Sequence, residues 1–439
     1  MRLTDSVPPA TPSGSLSRVL SKASWRLLPL IGLAYCLSYV DRVNISFAEP
    51  TMSKALGLSA SVYGQGAGIF FLSYAAAALP SNLLLTRLGP RLWLGAMMCA
   101  WGLTAAAMTL VRTPTAFLAL RFLLGATEGG FFPGVIYTLT LWFPAAFRGR
   151  AVSRFYIAAP LATLVMGAAA GALLKLDGTA GLAGWQWLLL VEGVPSTLAG
   201  VALLALLPDS PARAPWLAEA EKALIAGALA KDAVERPGRV AGAVSGALRD
   251  GAIWAMGAAN FLVLGCSYAI IYFGPRLLQE GVPVTPGQSG AIVAASGLIG
   301  VATMLGAAAS SDRRGERFGH LAGCWLVAAA GAALTAFTPS GWPLAAGYLL
   351  FFAGHFGAQG VFWASIDRLL SPAQAAAGIA IISTVGMCGS YLGPTLLGMI
   401  KDATGNFRLG LDAVPAGFVL AAAIALGLRF AARRRAGRG

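Results

Sequence analysis

The chain has 439 residues, of which 57% are hydrophobic and 11% are charged, and its mean hydropathy is +0.71. Ordinary soluble domains contain about 25% charged residues, so this composition excludes a soluble globular protein. The net charge of +14 would suggest a nucleic-acid partner in a soluble protein, but the placement of the basic residues along this chain indicates a membrane topology instead.

The apolar segments are long, continuous and rich in Ala, Leu and Gly. Only helices and closed barrels satisfy their backbone groups in lipid, and barrel strands would be about ten residues long with alternating polarity. We therefore predict an all-α membrane protein. Twelve segments are long enough to cross about 30 Å of hydrocarbon: 27–48, 61–86, 92–111, 115–142, 151–174, 185–207, 251–280, 288–310, 319–337, 341–370, 375–400 and 411–432.

These spans divide the chain into five parts. They are a cytoplasmic tail (1–24), a six-helix bundle (25–207), a cytoplasmic linker (208–250), a second six-helix bundle (251–432) and a basic cytoplasmic tail (433–439). The linker contains one amphipathic stretch, near Trp216 to Leu229.

A short basic motif supports a duplication of the two halves. Arg87 and Arg91 frame an R-x-G-x-R pattern after the second span, and Arg313 and Arg317 frame the same pattern after the eighth, 226 residues later. That offset also places the first span on the seventh. Parallel halves of this kind are typical of secondary transporters, whose substrate site lies between the halves near mid-membrane.

The basic residues predict the orientation. With both termini in the cytoplasm, 24 of the 32 Lys and Arg residues fall on the cytoplasmic side and five on the opposite side. This is the asymmetry that the positive-inside rule requires. We therefore expect a multi-pass inner-membrane or plasma-membrane protein with both termini cytoplasmic.

Four charged residues lie inside spans of the first half, where each costs about 2.5–3.5 kcal/mol. They are Asp41, Arg42, Arg121 and Glu128. None of them has a charged counterpart 226 residues later, which suggests that the first half handles charge while the second shapes the cavity. The alternative is a set of buried ion pairs that hold helices together, for example Asp41 with Arg121.

The chemistry of these residues suits an anion transporter. A buried carboxyl group such as Asp41 or Glu128 can load and release a proton. An arginine such as Arg42 or Arg121 keeps its charge and presents a planar fork to a carboxylate. Further candidates for contact with the substrate are Asn44, Tyr74, Tyr268, Tyr272, His355 and Trp363.

Alternatives remain open for some of these candidates. His355 could bind substrate, titrate, or be a neutral ring bonded to a backbone carbonyl. The aromatic residues could equally contact lipid or other helices. Arg276 could snorkel at a gate near the outer end of its span or serve as a ligand in the cavity.

Several motifs resemble the anion:cation symporter family of the major facilitator superfamily, in its branch of tartrate, phthalate and related acid permeases. The resemblance covers nearly the whole chain and lies in 39–48, 121–134, 142–151, 184–193 and 378–405. It implies proton-coupled uptake of a small organic anion by alternating access. It also implies that Asp41 and Glu128 carry protons, while Arg42 and Arg121 bind substrate or lock the acids.

The chain departs from that pattern at two places. Thr86 stands where an acid often precedes the first basic motif, although the second half keeps Asp312, and Ala78 stands where the branch commonly has an acid. We expect a cytoplasmic gate formed by Arg87, Arg91, Arg148, Arg150, Asp312 and Arg313, in which Asp312 caps a helix end or pairs with Arg148 or Arg150.

Other functions remain as alternatives. A facilitator or antiporter on the same fold would need no proton, and a non-transporting receptor would be expected to carry a signalling domain. An enzyme is not expected, since no nucleophile set, metal cluster or nucleotide motif is present in the sequence. We expect no cofactor or metal and no nucleic-acid partner. The predicted partners are the anion, protons and lipid, and the protein is predicted to function as a monomer.

Overall fold

The computed structural model describes residues 12–144, 147, 158–234, 243–338, 340–366, 369–370 and 374–436, and within these residues it contains helices and no β-strand. The first half contains α1 (Pro12–Leu56), α2 (Ala60–Leu88), α3 (Pro90–Ala107), α4 (Pro114–Glu128), α5 (Phe131–Trp142), α6 (Ala158–Leu174) and α7 (Gly184–Leu206). The linker contains α8 (Glu219–Val234) and α9 (Ala243–Arg249). The second half contains α10 (Gly251–Gly281), α11 (Pro286–Arg314), α12 (Phe318–Phe337), α13 (Trp342–Ile366), α14 (Ala375–Thr404) and α15 (Arg408–Ala436).

Ten helices of the described chain are long and apolar enough to cross a membrane. The two remaining predicted spans, 115–142 and 151–174, correspond to α4 with α5 and to the shorter apolar helix α6. The all-α membrane class is thus confirmed. The first helix begins at Pro12, so it extends well into the segment that the sequence predicted as a tail.

The predicted span 115–142 is two helices rather than one. Gly130 adopts a left-handed conformation with φ of 94°, which ends α4 and lets α5 begin at Phe131. A side chain at Gly129 would also collide with α2, because its Cβ would lie 2.6 Å from the backbone oxygen of Tyr74. The missing N–H of Pro133 is tolerated because it falls in the first turn of α5.

The two halves repeat the same arrangement. Adding 226 to the bounds of α2 (60–88) gives 286–314, which are the bounds of α11. The contacts between the halves follow this symmetry, since α2 packs on α14 and α11 packs on α6. Small residues bring the second pair together: a Cβ at Gly167 would lie 2.5 Å from the backbone nitrogen of Ala294.

The linker helix α8 lies against the beginning of α1. Lys22 Nζ lies 2.7 Å from Glu221 Oε2, and this hydrogen bond lowers the pKa of the Glu221 carboxyl below its usual value. We call this end of the bundle the linker side and the opposite end the far side. At the far side, the Asp402 carboxylate accepts hydrogen bonds from the backbone N–H groups of Ala60 and Ser61, at 3.0 and 2.8 Å. This contact ties α14 to the start of α2, across the two halves.

Candidate functional site

A cavity lies between the two halves, on the linker side of these contacts. On α1 its lining runs from Tyr35 to Ser46, and on α13 it runs from Tyr348 to Trp363. Most of the wall is aromatic or aliphatic, with a few polar groups. The polar and charged lining residues include Arg42, Ser46, Thr163, Asn260, His355, Gln359 and Ser383.

Arg42 is the charged residue of this lining. Its guanidinium forms an ion pair with the carboxylate of Glu128, at the last residue of α4. The guanidinium carbon also lies 4.9, 5.5 and 5.6 Å from the ring centroids of Tyr39, Phe70 and Tyr74. Arg42 is therefore a cation held by one carboxylate and three aromatic rings at the wall of the cavity.

Arg121 occupies a different position from its predicted one. Its side chain is fully buried, does not line the cavity, and places Nη1 3.6 Å from Asp41 Oδ2. Its Nε donates to the backbone oxygen of Gly66 at 3.1 Å, whereas Nη1 and Nη2 have no hydrogen-bond partner among the described residues. In this conformation Arg121 pairs with Asp41 behind the cavity wall, which is the ion pair that the sequence left open as an alternative.

The sequence analysis missed a third buried acid, Glu192 on α7. It is 0% exposed, and its Oε2 accepts a hydrogen bond of 2.9 Å from Asn44 Nδ2. Its carboxyl group also lies within hydrogen-bonding range of the Asp41 carboxyl. An acid in the middle of the apolar segment 185–207 was the signal that could have identified it.

Asn44 connects this acid to the rest of α7. Its Nδ2 also donates to the backbone oxygen of Leu188 at 2.6 Å, and its side chain is completely buried. Neither Asn44 nor Tyr272 lines the cavity. Tyr272 is fully buried, and its backbone oxygen accepts a hydrogen bond from Tyr63 Oη at 3.2 Å. The other predicted contacts, Tyr74, Tyr268, His355 and Trp363, do line the cavity.

The second half contributes neutral polar groups around His355. The ring places Nδ1 2.9 Å from Ser267 Oγ and Nε2 3.2 Å from Gln359 Nε2. Phe351 stacks parallel to it, with centroids 5.9 Å apart. Both ring nitrogens thus have side-chain partners, so the suggested backbone-carbonyl contact is not what holds this histidine.

The far side carries a second charged cluster that connects the halves. Arg276 of α10 contacts the buried Glu49 of α1 (Nη1 to Oε1, 2.7 Å) and also Glu280 (Nε to Oε1, 2.8 Å). Lys401 Nζ lies 3.2 Å from Glu280 Oε2. Arg276 therefore lies at the far-side closure and not in the cavity. Glu49 was missed because the predicted span ended one residue before it.

The predicted linker-side gate is only partly described. Arg148 and Arg150 lie outside the described residues. Asp312 pairs with Arg317 of its own half. In the first half the backbone N–H of Arg91 donates to Asp209 Oδ1 at 2.9 Å. Arg87 and Arg313 lie in the last turns of α2 and α11, at equivalent positions of the two repeats.

Two superposable sets of membrane-crossing helices with a cavity between them define a secondary transporter. The chain belongs to the Major Facilitator Superfamily, whose family model matches residues 31–394. The family that the sequence motifs indicated is confirmed. The chain is a multi-pass membrane transporter and not an enzyme.

Relatives and a solved structure agree with this class. The chain is 38% identical to a "Putative tartrate transporter" of Agrobacterium vitis, over 93% of this chain and 90% of the relative. It is 35% identical to a "Quinolone resistance transporter" of Acinetobacter baumannii, over 90% and 91%. The inward-open xylose transporter XylE of E. coli superposes with a TM-score of 0.74 at 15% identity, over 92% of this chain and 96% of XylE, which shows the shared fold alone.

Proposed function

We propose that this protein imports a small organic anion together with protons, by alternating access. The observation that carries the proposal is the Arg42–Glu128 pair, because it places a permanent cation and a titratable acid in one contact at the cavity wall. The substrate class is a hydroxy-, sugar- or aromatic carboxylate. The name of the tartrate-transporter relative supports this class.

The coupling follows from competition for one guanidinium. An incoming carboxylate and Glu128 both seek the fork of Arg42, which cannot lose its charge. A Glu128 carboxylate displaced into an aromatic wall is costly unless it takes up a proton. Binding of the anion and binding of a proton therefore favour each other. Asp41 and Arg121 form a second pair of the same type one residue away along α1.

The orientation of the protein is part of the proposal. The distribution of basic residues favours a cytoplasmic linker side in the inner membrane, with both termini on that side. The cavity would then face the cytoplasm, and the Glu49–Arg276 contact would close the outer side. In the outward-open state, the basic residues at the linker side would close against each other's halves. We propose a monomer as the functional unit.

Transport in proteoliposomes tests the proposal. A thermal-shift screen of small carboxylates, beginning with tartrate, identifies the acid that stabilises the protein most, which we call the probe acid. We expect its uptake against a concentration gradient when the outside is acidic. Exchange of labelled for unlabelled probe acid without any accumulation would instead identify a facilitator or antiporter. Binding without either transport activity would favour a receptor.

A further inference from the structure

The charged groups of the first half do not balance. Three acids and two arginines lie in the contiguous cluster Asp41, Glu128, Glu192, Arg42 and Arg121, and each of them is at most 8% exposed. If all five were ionised, the cluster would hold one uncompensated negative charge. Burial of an unpaired charge is strongly unfavourable, so a group in this position becomes neutral.

Glu192 is the acid that lacks an arginine. Asp41 pairs with Arg121 and Glu128 pairs with Arg42, whereas Glu192 has no ion pair with any described residue. Its Oε2 accepts from the amide of Asn44, and its Oε1 has no hydrogen-bond partner within the described part of the chain.

The helices packed against α7 offer no other compensating charge. From α1, Asp41 and Asn44 face Glu192, and from α4 Arg121 lies nearby. The sequence of α3 contains Arg91 and Cys99 as its only ionisable side chains, and Arg91 Nε donates to the backbone oxygen of Leu204 near the end of α7. The sequence of α6 contains none.

We propose that Glu192 and Asp41 share one proton and together form a proton-carrying carboxyl pair, which rests on the proton coupling proposed above. Asp41 keeps its negative charge beside Arg121, so the proton lies on Glu192 Oε1. When Asp41 separates from Arg121 during the transport cycle, the O–H bond of Glu192 breaks and an O–H bond forms on Asp41. The negative charge moves to Glu192, where the Asn44 amide donates to it.

Infrared spectroscopy of the purified protein tests the proton directly, without any substrate. At neutral pH we expect the C=O stretch of a buried protonated carboxyl group. Glu192→Gln removes that band. Asp41→Asn removes it too, because two acids then remain for two arginines. The matched control is Glu219→Gln, since Glu219 is exposed on α8 and pairs with Lys222; the band stays unchanged in this variant.

Transport provides the second readout. Glutamine resembles the protonated form of Glu192, so Glu192→Gln should retain exchange of the probe acid within about threefold of wild type. Its pH-driven accumulation should fall at least tenfold. If Glu192→Gln fails to fold, Glu192→Asp keeps the carboxyl and should retain the infrared band.

The outcomes separate this inference from the proposed function. A band that persists unchanged in folded Glu192→Gln overturns the inference, and so does the absence of any such band in wild type. If wild type shows the Glu192-dependent band but never accumulates the probe acid, the carboxyl pair is supported and the proton-coupled uptake is wrong.

Discussion

Arg42 and Glu128 form an ion pair between α1 and α4 at the wall of the central cavity, where rings of Tyr39, Phe70 and Tyr74 also surround the guanidinium. The carboxylate already occupies the arginine that an anionic substrate would use. Substrate binding in this site therefore requires Glu128 to give up its partner.

Arg42→Lys should weaken binding of the probe acid by roughly 10–100-fold, about 1.4–2.8 kcal/mol. Lysine keeps the charge but loses the planar fork and its stacking on the rings. Isothermal titration calorimetry measures the loss. Arg121→Lys is the matched comparison, and it should change affinity less because Arg121 does not line the cavity. A larger loss in Arg121→Lys would contradict this assignment.

Asp41→Asn and Glu128→Gln should each abolish accumulation driven by a pH gradient. At least one of the two variants should still exchange labelled probe acid, because the amides mimic the neutral acids and leave both arginines in place. Both activities are measured in the same proteoliposomes. Normal accumulation by both variants would remove these acids from the coupling mechanism.

Charge and periodicity in the sequence predicted much of this arrangement. The offset of 226 residues, read from two basic motifs, is the shift that relates the bounds of α2 to those of α11. The same reasoning selected Asp41, Arg42, Arg121 and Glu128 as a group. These inferences succeeded because the cost of burying charge in lipid is independent of the details of packing.

Side-chain direction was beyond the sequence. Spacing along a helix gives a height in the membrane, but it does not say whether a side chain faces the cavity or a neighbouring helix. Arg121 was expected in the cavity and instead lies behind it, against Asp41 and the backbone of Gly66. The helix break at Gly130 was missed because the apolar run continues through it without interruption.

Glu49→Gln should favour opening of the far side. Glu49 is completely buried and its charge holds Arg276 across the two halves. Spin labels at exposed positions 179 and 340, in far-side connections of opposite halves, should show a several-fold larger population at long distance. Glu280→Gln is the control, since it contacts the same arginine within one helix. Equal effects of the two variants would argue against a cross-half latch.

Gly130→Ala should destabilise the protein by about 1–2 kcal/mol, because a left-handed conformation places Cβ against the backbone. The added carbon would also contact Ser81 of α2. Gly227→Ala is the matched control: it lies in α8 with nothing within 4 Å of the new carbon, and should be neutral or stabilising. Thermal unfolding compares them, and an unchanged midpoint for Gly130→Ala would contradict the strained break.

The most direct test of the proposed transport function is the accumulation of labelled probe acid by wild-type proteoliposomes, with and without an inward proton gradient. We predict an internal concentration above the external one only when the outside is acidic, together with alkalinisation of the medium as protons enter with the anion. An identical plateau at the external concentration under both conditions would contradict proton-coupled uptake.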